Sequence, residues 1–116
     1  MALYYTLPVY KDTYKFIQLV FRITSGFPRE YKYTLGQDMK RDAMQLVRHI
    51  YRANTARDKK DHLATFIDDF ELVKLQVRLS YDMRIIDHKK YASIAELMDS
   101  IGRQISGWQR SQQKNG

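Results

Sequence analysis

The stretch EYKYTLGQDMKRDAMQLVRHIYRAN, Glu30 to Asn54, decides the fold. Leu35, Met39, Ala43, Leu46, Val47 and Ile50 recur at three- and four-residue steps, which is one stripe of an amphipathic helix. Thr34 and Gln37 form a T-x-x-Q capping box, whose side chains can satisfy two orphan amides reciprocally, so the spacing predicts a helix over 34–54. The same segment sets Arg41, Gln45, Arg48 and Arg52 on one outer line with no acid on it. Like charges four residues apart cost about 0.2–0.5 kcal/mol per pair, and a merely soluble face would intersperse signs. The line therefore asks for an anionic partner.

Three more helices follow from the same reasoning. Val9, Phe16, Leu19, Val20 and Ile23 predict a helix over 9–25, with Pro8 suited to its first turn and Gly26 to a left-handed stop. FPREYKY, 27–33, reads as a connector, because Pro28 disfavours a helical Phe27. A long helix over 61–87 carries two apolar lines. One is Leu63, Phe66, Ile67, Phe70, Val73, Val77 and Tyr81; the other is Leu72, Leu75, Leu79 and Ile86. So wide an apolar arc is covered on more than one side, and the second line is expected to mark a subunit interface. The last helix is expected over 94–110, opened by a Ser93/Glu96 box and followed by a frayed tail, 111–116. No stretch alternates as a strand. The expected fold is all-α: an up-down-up-down antiparallel four-helix bundle in one domain, 1–116.

Composition bounds the function. The chain has no Cys, which excludes a disulfide framework, thiolate-bound zinc and a cysteine nucleophile. No apolar run approaches a membrane span, and MALYYTLPVYKD lacks the basic and long apolar regions of a signal peptide. A cytoplasmic protein with no membrane partner is expected. The net charge of +7 favours polyanions.

Catalytic constellations are missing. There is no phosphate-binding glycine loop, no dinucleotide fingerprint and no nucleophile elbow. His49, His62 and His88 do not sit at metal-converging spacings; His49, beside Arg48, is expected on the surface. Asp68, Asp69 and Glu71 form the densest acidic cluster, but consecutive residues point about 100° apart on a helix. They read as a solvated face rather than an acid–base pair. No enzyme activity, metal or cofactor is expected.

The positive charge is lopsided. Lys11, Lys15, Gln18 and Arg22 repeat on the first helix the pattern of Arg41, Gln45, Arg48 and Arg52 on the second. These two helices are expected to be neighbours, with the stripes forming one surface against a phosphate backbone. Tyrosines cluster in ALYYTLPVY and REYKY, where an aromatic–basic mixture suits base stacking and an amphipathic ring equally suits a bundle end. Acids on the third helix of a neighbouring subunit are the rival partner of the basic face.

The segments YKFI (14–17), FPREYKYTLGQDMKRDAMQLV (27–47) and QISGW (104–108) resemble the short four-helix-bundle proteins of bacterial ribosomal-RNA intervening sequences. They resemble still more closely their relatives the Avd proteins, accessory variability determinants of diversity-generating retroelements. QLVRHIYRAN (45–54) departs from the small-residue segment of the intervening-sequence branch. The resemblance implies a homopentameric barrel and a non-catalytic accessory subunit. Such a subunit would bind nucleic acid, template RNA or cDNA, and the retroelement's reverse transcriptase, supporting mutagenic cDNA synthesis and retrohoming. The candidate nucleic-acid-binding residues are Arg41, Arg48, Arg52, Lys11, Lys15 and Arg22. The alternative is a protein–protein adaptor of the intervening-sequence type, whose basic face meets an acidic partner.

Overall fold

A computed structural model describes residues 3–114. Pro8–Ser25 forms α1, Arg29–Lys32 the single turn α2, Leu35–Thr55 α3, Lys60–Asp82 α4 and His88–Lys114 α5. A 3-10 turn, Tyr4–Thr6, precedes α1, and no strand occurs among the described residues. α1 packs on α3 and α5, and α4 packs on α3 and α5, so the four long helices close a ring around one core. Neighbours run antiparallel. Tyr4 meets Tyr51 where Lys40 lies over Phe21; Met39 faces Ser80 where His49 faces Asp69; Tyr81 stacks on Tyr91 where Phe70 lies beside Gly102. The result is an elongated bundle, 47 × 22 × 21 Å.

The apolar stripes meet inside. Phe16, Met39, Leu46, Ile50, Phe66 and Ile101 are all essentially sealed from solvent. Phe70 bridges the aromatic part, tilted against Phe66 at 5.6 Å and edge-on to Phe16 at 6.4 Å. On α4 the seam of Leu63, Phe66, Phe70, Val73 and Val77 is buried, while Leu72, Leu75 and Leu79 lie on the outer side and are 42–61% exposed. Ile86 does not join that outer line: it lies beyond the helix and is buried in the core.

Several expected boundaries move, each for a local reason. The helix expected over 61–87 ends at Asp82. The Arg84 amide donates to the Tyr81 carbonyl, the Ile85 amide to that of Ser80, and Arg84 has φ 61. This is the Schellman arrangement with an arginine where glycine is usual, and it turns the chain so that Ile86 enters the core. Arg84→Gly removes the Cβ penalty of the left-handed backbone. It should raise stability by about 0.5–1 kcal/mol, read as a higher denaturation midpoint in urea.

The last helix begins at His88, not 94. Asp87 Oδ1 accepts from the Lys90 amide at 2.8 Å, the bond an N-cap makes, so Ser93 and Glu96 lie inside the helix and form no capping box. The expected frayed tail is helical to Lys114; 115–116 lie outside the described residues. Thr34 precedes α3 as expected, but its hydroxyl donates back to the Glu30 carbonyl rather than capping the helix. Gly26 has φ −92, so α1 ends without a left-handed residue. The hydroxyls of Thr24 and Ser25 occupy carbonyls of its last turns instead.

At the far end of α3 a lysine does the capping. Lys59 Nζ donates to the carbonyls of Ala53, Asn54 and Ala56 at 2.8–3.2 Å. A cation there meets the negative end of the helix dipole. One of the loop cations is thereby turned inward and lost to any outside partner.

Candidate nucleic-acid interface

The six candidate cations are all exposed. Lys11, Lys15 and Arg22 lie along the outer side of α1, because its other sides are taken. Phe16 and Val20 point into the core, Tyr10, Tyr14 and Ile17 border a cleft shared with α3, and Asp12 turns toward α5. There Asp12 Oδ2 accepts from Ser100 Oγ at 2.8 Å and from Gln104 Nε2 at 2.7 Å. Asp12 is the one acid of α1, so no carboxylate of that helix is left to answer its cations.

α3 divides its acids differently. Arg41 lies 3.1 Å from Asp38 Oδ1 and 3.1 Å from Asp42 Oδ1. The hydrogen bond and charge of Asp42, with Asp38 behind them, raise the Arg41 pKa above its ordinary value. Asp42 also accepts from Gln76 Nε2 of α4 at 2.7 Å. Arg41 is thus locally neutralised, unlike the rest of its line. Arg48 and Arg52 have no carboxylate within ion-pair reach among the described residues, nor do Lys11, Lys15 and Arg22. Five of the six candidates remain unpaired.

The two stripes do not merge, although α1 and α3 are neighbours as expected. The α3 stripe lies toward α4: Gln45 lines a cleft of about 210 Å³ with Asp42, Asp69 and Leu72. Between the stripes runs a belt of Tyr10, Tyr14, Ile17 and Phe21 from α1 against Lys40, Met44, Val47 and Tyr51 from α3. Each set steps by four, three and four residues, so the sequence contained a second pair of lines as regular as the basic ones. Tyr4 of the 3-10 turn ties the belt's end, its ring 5.2–5.4 Å from those of Tyr5, Tyr10 and Tyr51.

His49 is a correction: it is buried, and its Nε2 lies 2.6 Å from Asp69 Oδ2. The bond ties α3 to α4 and engages one member of the acidic cluster, whose side chain stays 43% exposed. Asp68 remains exposed, and Glu71 pairs with Lys74 at 2.6 Å. His88 Nδ1 lies 3.2 Å from the Tyr81 hydroxyl. Among the described residues no three acids or histidines converge as a metal site, and no helix is long and apolar enough to cross a membrane.

A family model described as bAvd-like matches residues 8–112, from the first turn of α1 almost to the end of α5, and the chain belongs to that family. The resemblance to the Avd proteins of diversity-generating retroelements rests on that match as well as on the motifs. No curated protein matches the chain.

Proposed function

Because the chain is a member of the bAvd-like family, we propose that it is a non-catalytic accessory subunit of a retroelement reverse transcriptase. In this reading it binds nucleic acid, the template RNA and its cDNA, and supports mutagenic cDNA synthesis and retrohoming in the cytoplasm. The observation that carries the nucleic-acid part is the set of unpaired cations. Lys11, Lys15, Arg22, Arg48 and Arg52 stand exposed, while the acids of α1 and α3 are engaged with Ser100, Gln104, Gln76 and Arg41. Five exposed cations on two neighbouring helices suit a phosphate backbone, which they position without reading sequence.

Self-association into a pentamer belongs to the same proposal. Leu72, Leu75 and Leu79 form an exposed apolar ridge on α4, the kind of surface a subunit contact covers. The ridge lies across the bundle from the α1 stripe, and its Leu72 end borders the cleft that Gln45 of the α3 stripe lines. A contact between unlike patches is head-to-tail, and such contacts close into rings when the rotation permits.

Anisotropy titrations of labelled RNA across a salt series test the nucleic-acid reading. If each of the five cations neutralises one phosphate, log Kobs falls against log salt with a slope of about −3.5 for a single strand, roughly 100-fold between 50 and 200 mM. Affinity that hardly moves over that range would sink the proposal. RNA that shifts only when the polymerase is present would instead favour the adaptor.

A further inference from the structure

We infer that the tyrosine belt between the basic stripes is a stacking platform for unpaired bases, so the chain takes single-stranded nucleic acid in preference to duplex. This rests on the nucleic-acid reading above and narrows it to a substrate class. Tyr5, Tyr14 and Tyr51 are each about half exposed, at 51%, 51% and 49%. Other rings hold them in place: Tyr4 meets Tyr5 and Tyr51 edge-on, and Tyr10 lies nearly parallel to Tyr14, at 21° and 6.3 Å. Rings fixed in this way lose little freedom when a base settles on them. Beside them Tyr10, Tyr14, Ile17, Met44 and Val47 line an apolar cleft of about 220 Å³ between α1 and α3.

The chemistry of the flanks names the occupant. Lys11 and Lys15 stand on one side of the belt and Arg48 and Arg52 on the other, all without carboxylate partners among the described residues. An apolar, aromatic floor between two cationic walls fits a ligand with flat apolar faces and an anionic backbone. In a duplex those faces are already stacked on one another, and only phosphates and groove edges are on offer. A single strand presents both, and stacking tolerates any base. The leucine ridge of a second copy is a poorer match. Beside it Glu71 pairs with Lys74, Asp82 with Arg78 and Asp69 with His49, which leaves Asp68 and Asp99 to face five cations.

The test compares fluorescein-labelled oligo(U) of about 20 nucleotides with an RNA duplex of equal length, by anisotropy at fixed moderate salt. Tyr14→Leu and Tyr51→Leu are measured beside Tyr14→Phe and Tyr51→Phe, with the helical circular-dichroism melt as the check on folding. The single strand should bind about fivefold or more tighter than the duplex. Each leucine variant should lose about fivefold or more for the single strand and under about twofold for the duplex, and each phenylalanine variant should retain binding. Equal affinity for both ligands with the leucine variants indifferent would overturn the platform and leave the basic face standing. No binding of either ligand at low salt would end both proposals. Leucine variants that lower the particle mass in light scattering would assign the belt to a contact between copies, and that also overturns the inference.

Discussion

Reversing Arg48 and Arg52 together to Glu should weaken RNA binding by about 30-fold or more at 0.1 M salt and flatten the salt slope by about 1.4. Two of five phosphate contacts vanish, and two repelling charges replace them. The companion variant sharpens the test. Arg41 lies on the same helical line, yet Asp38 and Asp42 already hold its guanidinium. To reach a phosphate it must first give up those partners. Arg41→Gln should therefore cost under about threefold, against a larger loss for Arg48→Gln or Arg52→Gln. Equal losses along the whole line would mean that only total charge matters and that the geometry of the stripe does not. Under the adaptor reading, the isolated protein binds no RNA, and the double reversal abolishes polymerase binding instead.

Phe66→Ala should produce the largest loss of stability of any single truncation considered. Phe66 is fully buried, and its ring supports Phe70, which in turn meets Phe16 of α1. Removing it forfeits transfer free energy and leaves a cavity that rigid helices fill poorly, about 3–5 kcal/mol. Domains of this size have about 5–15 kcal/mol in total, so a melting midpoint lower by roughly 10–20 °C is expected. Leu79→Ala is the control. Leu79 is 42% exposed, and in an isolated protomer its loss should cost under about 1 kcal/mol. A Leu79→Ala melt that falls as far as that of Phe66→Ala, and with protein concentration, would show that the ridge is covered in the assembly.

The periodicity of apolar residues made the four long helices legible, because burial on one side leaves a 3.6-residue signature whatever the partner. Two boundaries were less legible because their signals were atypical. The turn after α4 uses Arg84 in the left-handed region where a reader looks for Gly, and α5 starts from Asp87 rather than from the more conspicuous Ser93 and Glu96. The basic stripes were readable as lines, and so was the neutralisation of Arg41, since Asp38 at three residues' spacing and Asp42 next door are both in the sequence. His49 was not: burial on the α4 side of α3 depends on where the neighbouring helix lies, which periodicity along one helix does not report. The belt of Tyr10, Tyr14 and Tyr51 joins residues from two helices. It becomes visible only when α1 and α3 are set side by side.

The ring of helices also fixes an order of events in time. The α1–α3, α3–α4 and α4–α5 seams join consecutive long helices, so each can zip from a short connection with little loop-closure entropy. The seam between α1 and α5 is different: Asp12 finds Ser100 across 88 residues of chain. On loop-closure entropy alone, the α1–α5 seam is expected to form after the three hairpin seams.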